Sequence, residues 1–325
     1  MRSLPRWSAL IAGLLIGLAS WLLFINEGRV DPNRVASSAV NIGSERFNLD
    51  PAVDGRLVSA TGSLSSPYAL GDSLFIRPGN YIAIIRKVEM FSWGSREAKT
   101  VKLWQEYPPS TVDRFVNPRK KLSSGFYKVK ELKVGVYDVD ATMLGFPAKF
   151  PSLQLNAAKV KELGSFRQVS ARYLFTGQGT INKPQIGDLR VSYFALPMGT
   201  TVTVFGKLSN KMIAPYLDQN NYRLYRLFLG DRHDGLRQLR GEFRLSVWVV
   251  RLVAWLLVCL GLVVVLELMA GNIKFPALYR QILLAGFGLT VLLVWLTNWI
   301  RNFWLLLIVL CLLAGGTVYY LRRRR

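Results

Sequence analysis

The chain has 325 residues, 42 Lys and Arg against 20 Asp and Glu, a net charge of +22, and 51% hydrophobic residues. This length holds one to three domains, and the basic excess points to an anionic neighbour, either phospholipid headgroups or nucleic acid. No nucleic-acid motif is present and long uncharged runs tie the chain to a bilayer, so nucleic acid is excluded as the expected partner.

Met1 to Arg6 carries Arg2 and Arg6, and the next charge is Glu27. The uncharged run over 7–26 has the length of a span, since about 20 apolar residues cross the hydrocarbon. A cleaved signal peptide has a shorter core and a small-residue cleavage site; this run continues through Trp21 to Ile25 without Ala-x-Ala, which predicts an uncleaved anchor.

Residues 27–233 are predicted to form a β-rich, α+β extramembrane domain. Asp31-Pro32 is a helix start, capping residue then proline, for a short helix to about Val40. Beyond it, 81–91, 101–104, 126–136, 172–175, 189–194 and 202–208 are rich in aromatic and β-branched residues and are separated by turn formers such as Pro78-Gly79-Asn80 and Pro197-Met198-Gly199. Alternation places Leu189, Val191 and Tyr193 on one sheet face. One helix is predicted over 153–163, stopped by Gly164. Val58 to Ser65 and Val202 to Ser209 share the pattern V-x-x-x-G-x-L-S; two strand-plus-glycine segments coincide in this way by chance more often than by repetition.

From Asp234, an N-cap, the spacing predicts one amphipathic helix that runs without a breaker into a second span, together 234–270. Leu236, Leu239 and Phe243 recur on one face, and Arg237, Arg240 and Arg244 on another. Two further uncharged runs, 281–300 and 302–321, predict a third and a fourth span, closed by the basic tail 322–325. The predicted fold class is therefore a membrane protein of four transmembrane helices, one N-terminal and three C-terminal, with the β-rich domain inserted between the first and second. Seven of nine tryptophans lie in or beside these runs, as interfacial belts favour. Arg2, Arg6, Lys274, Arg280 and the Arg322–Arg325 tail fall on one side, so the positive-inside rule puts 1–6 and 322–325 in the cytoplasm and the domain outside it. Cys259 and Cys311 both lie in the runs, leaving the domain without disulfides or a cysteine metal site.

No catalytic constellation is legible, and no cofactor or metal is expected. His233, the lone histidine, sits in Asp231-Arg232-His233-Asp234, read as a polar loop before a helix cap. Asp138 and Asp140 share a strand face and read as a surface strand end more readily than as a cation pair. Arg251 and Glu267 are too far apart to pair along one helix and read as snorkelling side chains near the interfaces. Gly13 and Gly17 form a GxxxG for helix packing or self-association; Ala285, Gly286 and Gly288, and Ala314 to Gly316, add small residues in later spans. Two basic sets stand out: Arg119, Lys120, Lys121, Lys128, Lys130 and Lys133 in the domain, and Arg237, Arg240 and Arg244 before the second span, where they are within reach of anionic headgroups.

The chain also resembles the LUMA (transmembrane protein 43) family. The resemblance rests on the layout and on Asn26-Glu27-Gly28-Arg29, Val88-Glu89-Met90-Phe91-Ser92-Trp93, Asn117-Pro118, Gly187-Asp188-Leu189-Arg190-Val191-Ser192-Tyr193 and the charged approach to the second span. It departs in a shorter loop after Trp93 and a Gly-Pro-rich stretch over 145–151. The resemblance implies a protein that organises membrane complexes, with links to lipid, and offers no catalytic residues to transfer. A bacterial member is implied, in the inner membrane with a periplasmic domain; a eukaryotic one would sit in an endomembrane. The expected function is a multi-pass scaffold whose domain docks anionic headgroups or other membrane proteins, with homo-oligomerisation through the small-residue faces. The alternative is a membrane enzyme or transporter acting on lipid, which would show polar groups converging at mid-depth.

Overall fold

The computed structural model describes residues 7–47, 50–156, 159–161, 164–219, 221–270 and 275–300. Its helices are α1 (Trp7–Glu27), α2 (Pro32–Ser37), α3 (Arg232–Ala270) and α4 (Phe275–Ile300). α1, α3 and α4 are each long and apolar enough to cross a membrane. Helix is what such runs must form in lipid, because it bonds every interior N–H and C=O within the segment. The sequence predicts four spans, but the described residues contain three, one N-terminal and two C-terminal, with the strand-rich part between α1 and α3. The predicted fourth span, 302–321, and the segments 1–6 and 322–325 lie outside the described residues, as do Ala314 to Gly316 and Cys311.

The chain divides into two compact units, 1–33 with 238–325, and 34–237. In the first, Ala19 and Leu23 of α1 pack with Ala254 and Val258 of α3. Gly261 of α3 meets Ile16 and the Ala12 carbonyl of α1, and Gly286 of α4 lies against the Cys259 sulfur of α3. The absent side chains let the backbones approach, which is how helices gain contact where lipid supplies no hydrophobic drive.

The second unit carries the strands β1 (Val40–Ile42), β2 (Leu57–Ser65), β3 (Tyr81–Arg96), β4 (Lys99–Gln105), β5 (Thr111–Val112), β6 (Phe115–Val116), β7 (Gly125–Lys128), β8 (Glu131–Val134), β9 (Tyr137–Asp140), β10 (Arg167–Gln168), β11 (Leu174–Thr176), β12 (Leu189–Pro197), β13 (Thr201–Ser209), β14 (Met212–Ala214), β15 (Tyr216–Leu217), β16 (Arg223–Leu224) and β17 (Arg226–Leu229). β2, β8, β9, β14 and β13 form a ring, because β13 pairs back onto β2; β1 and β17 extend it. Val58, Ala60, Leu132, Tyr137, Val204 and Leu208 are part of its core. Closing the ring removes most of the open edge that a sheet this size would otherwise expose.

The two V-x-x-x-G-x-L-S segments are β2 and β13, antiparallel neighbours related by a local two-fold axis. Ala60 faces Val204 at the centre, and Val58 faces Gly206 as Gly62 faces Val202. Each glycine admits a neighbour: Ser44 and Gly135 at Gly62, the Ala214 carbonyl and Ile213 at Gly206.

The other large sheet runs β10-β11-β12-β3-β4, with β7 also on β3. Leu189, Val191 and Tyr193 are all buried, the last two in one core cluster. The helix predicted over 153–163 is not formed: the described residues of that stretch are extended and turn. Leu153 N–H bonds Tyr193 O, Leu155 N–H bonds Ala171 O, and Val160 bridges Ile76. Leu153 and Leu155 are buried around an exposed Gln154, a period of two. The segment packs as a rib on the sheet, and tertiary burial overrides its weak helical spacing.

Candidate functional site

In α3 the arginines Arg237, Arg240 and Arg244 are all exposed. Arg237 lies 3.8 Å from the Asp234 carboxylate and donates to His233 Nδ1 at 3.1 Å. Asp231 and Asp234 cap the helix start reciprocally, Asp234 N–H bonding Asp231 Oδ1 at 2.9 Å. Asp231, His233 and Asp234 bring ligand atoms within 4.8 Å of one another, all exposed, but this capping and the adjacent guanidinium already engage them. Past Arg244 the same helix exposes Leu245, Trp248, Val249 and Leu252.

Gly13 and Gly17 face open space within the chain. Among the described residues the α1 contact runs instead through Ala12, Ile16, Ala19 and Leu23, and none packs on the GxxxG. Arg251 does not simply snorkel. Its Nε and terminal nitrogen bond the two oxygens of Glu27, each at 2.8 Å, and Asn298 of α4 lies 3.5 Å from the same carboxylate. Asn26 donates to Val247 O at 3.3 Å, and Arg29 to Ser246 Oγ at 2.6 Å. The end of α1 is thereby tied to α3 and α4 by the Asn26-Glu27-Gly28-Arg29 segment.

Asp138 and Asp140 share the outer face of β9 but each has a local partner: Lys133 at 3.1 Å from Asp138, and the Thr142 N–H and hydroxyl on Asp140. Lys128 donates to Thr142 O at 3.0 Å, while Lys130 is exposed.

Three of the segments that carry the family resemblance meet in the domain. β12 runs along β3 with Arg190 opposite Glu89 and Tyr193 opposite Arg86. Phe91 N–H bonds Asp188 O, and Gly187 N–H bonds Phe91 O, each at 2.9 Å. Asn117, 8% exposed, completes the junction: its Oδ1 accepts Trp93 N–H at 2.7 Å, and its amide donates to Trp93 O and Pro109 O.

Buried carboxylates organise the loops around this junction. Asp72 Oδ1 accepts the N–H groups of Leu74, Phe75 and Ile76, and its Oδ2 accepts Arg86 at 2.9 Å and the Tyr193 hydroxyl at 2.6 Å. Burial acts to raise the Asp72 carboxyl, but these bonds, Tyr193 foremost, hold it below the usual carboxylate range. The Tyr193 hydroxyl is pushed up by its burial and by Asp72. Glu89 is likewise lowered against its burial by Arg190 and Lys87. Asp188 accepts the N–H groups of Gln178, Gly179 and Gln185. Gly177, at φ +145, lies too close to Asp188 for any side chain.

Of the basic run 119–121, Lys120 turns inward: its ammonium donates to Val88 O at 2.9 Å and to Glu106 O at 2.5 Å. Burial lowers its pKa, opposed by the Glu106 and Glu89 carboxylates. Arg119 and Lys121 remain exposed. Arg119 borders two clefts, one of about 570 Å³ with Lys120 and Tyr107, the other of about 890 Å³ with Lys121, Leu74 and Phe75. The sequence marks the basic run; Asn117 and Asp188 stand out in it only within the segments of the family resemblance, with no role attached, and Asp72 does not stand out at all. The available signals were an isolated acid in the apolar stretch Leu70–Ile76 and a glycine-rich turn, Gly177-Gln178-Gly179, ahead of Asp188.

A comparison with protein-family models matches residues 101–312 to the family Transmembrane protein 43. No curated protein and no solved structure matches the chain. The matched stretch begins at β4, covers the larger part of the domain and runs on through α3 and α4, well over half of the sequence. With its apolar helices flanking a strand-rich domain, the chain is a membrane protein of the transmembrane protein 43 (LUMA) family.

Proposed function

We propose that the protein is a non-enzymatic membrane scaffold whose juxtamembrane helix holds anionic phospholipid. One observation carries this reading: exposed Arg237, Arg240 and Arg244 recur on α3 directly before its exposed apolar residues Leu245, Trp248, Val249 and Leu252. A helix with basic residues at the headgroup level and apolar residues beyond it suits an anionic interface. Each arginine near such a surface contributes about 1 kcal/mol, falling off within a Debye length. The Gly13 and Gly17 face, uncovered among the described residues, supports self-association as the means of gathering partners.

Full-length protein extracted in mild detergent should retain phosphatidylglycerol or cardiolipin, quantified by mass spectrometry. Arg237→Gln, Arg240→Gln and Arg244→Gln together should remove most of it; retention equal to wild type overturns the reading. The basic asymmetry of the sequence favours an extracytoplasmic domain. In a chain lacking Cys259 and Cys311, a cysteine at the exposed Ser65 should react with an impermeant thiol reagent in intact spheroplasts. Protection there would place the domain in the cytoplasm.

A further inference from the structure

Three loops of the domain are fixed from behind by buried polar groups, and their outer faces line the cleft of about 890 Å³. That volume lies within the range of small-molecule sites, roughly 300–1,000 Å³. The first wall is the turn held by Asp72, itself 3% exposed, which presents Leu74 at 40% exposure beside Phe75. The second is the loop pair that Asp188 gathers through its three backbone bonds. The third is 118–122, pinned by Asn117 and by the inward Lys120 ammonium. Phe166 closes the apolar side, its ring 4.8 Å from that of Phe75.

The charges of this cleft are unbalanced among the described residues. Arg119 and Lys121 line it, are exposed, and make no hydrogen bond or ion pair there. The carboxylate that lines it, Asp188, is 2% exposed and turned onto backbone N–H groups. Walls set in advance cost little to order on binding. Two free cations beside an apolar surface select a ligand that is anionic at one end and apolar at the other.

We infer that this cleft binds an anionic amphiphile, its phosphate or carboxylate on Arg119 and Lys121 and its apolar part against Leu74, Phe75, Leu122 and Phe166. This site is separate from the juxtamembrane arginines and stands or falls without them.

The test titrates the full chain, held in discs of neutral phosphatidylcholine, with hexyl phosphate, inorganic phosphate and hexanol by calorimetry, with empty discs as background. Hexyl phosphate should bind at least about tenfold tighter than inorganic phosphate or hexanol, because only it engages both halves of the site. Arg119→Gln with Lys121→Gln should weaken it about tenfold or more. Leu74→Ser should weaken hexyl phosphate without changing inorganic phosphate. The Arg237→Gln, Arg240→Gln, Arg244→Gln protein should bind it as wild type does. Hexyl phosphate binding no tighter than inorganic phosphate, or no loss in the Arg119/Lys121 variant at unchanged circular dichroism, overturns the inference. In discs containing phosphatidylglycerol, suppression of the hexyl phosphate signal identifies a bilayer lipid as the source, and an undiminished signal identifies a free amphiphile.

Discussion

Glu27 and Arg251 are 224 residues apart in sequence and form a two-pronged ion pair, Nε to Oε1 and Nη2 to Oε2, each at 2.8 Å. The Glu27 side chain is 7% exposed and that of Arg251 28%. Such a pair joins the end of α1 to α3 with the carboxylate largely buried, so each partner depends on the other.

Removing one member leaves a charge without its partner. Arg251→Met should destabilise the detergent-purified protein by about 2–4 kcal/mol, read as a fall in melting temperature. Glu27→Gln combined with Arg251→Met should recover much of that loss. A double variant as unstable as the sum of the two singles would show that the pair is not coupled.

Asp72 gives the domain an acid-sensitive element. Its carboxyl lies lower in the folded state than an ordinary aspartate carboxyl, so its contribution is complete above the unfolded value and is lost as pH falls through the lower folded one. Domain stability should therefore decline below about pH 4, and Asp72→Asn should flatten that part of the profile. The same change should cost about 3 kcal/mol at neutral pH, since it strips the Arg86 guanidinium of its charged partner. Thermal melts across the acid range check both; an unchanged acid limb would mean other groups dominate.

Gly286 and Gly288 differ sharply in surroundings. A side chain at Gly286 would strike the Cys259 sulfur, whereas one at Gly288 meets nothing within 4 Å among the described residues. Gly286→Ala should cost about 1–3 kcal/mol, Cys259→Ala should relieve it, and Gly288→Ala should be close to neutral. The double-mutant cycle on melting temperature measures the coupling.

The β3–β4 hairpin turns on Glu97 at φ 53° and Ala98 at φ 59°, both left-handed and neither glycine. A two-residue hairpin with positive φ at both positions is best served by Asn-Gly. Glu97→Asn with Ala98→Gly should raise stability by about 1 kcal/mol, since left-handed geometry costs a side-chain-bearing residue roughly 1–2 kcal/mol. A lower denaturation midpoint would contradict this.

The sequence by itself determined the apolar helices, the strand-rich domain between them, the family and the continuous helix from the capped Asp234 region into a span. These are local properties: uncharged length sets a span, alternation sets a half-buried strand, and a cap with no breaker sets a continuous helix. The exposed arginines of α3 were legible for the same reason, since spacing along one helix places them on one face. Only the tertiary structure decided which polar residues were consumed. Lys120 and Arg119 are adjacent in sequence, yet one is spent on backbone carbonyls and the other stays free. Tertiary packing likewise made a rib of 153–155 instead of a helix, because Tyr193 O and Ala171 O offered its backbone partners. The Asp72–Tyr193 bond, the Asn117–Trp93 bonds and the Glu27–Arg251 pair have the same origin: a buried polar group needs a partner, and that partner comes from whichever segment the fold brings within 3 Å or so.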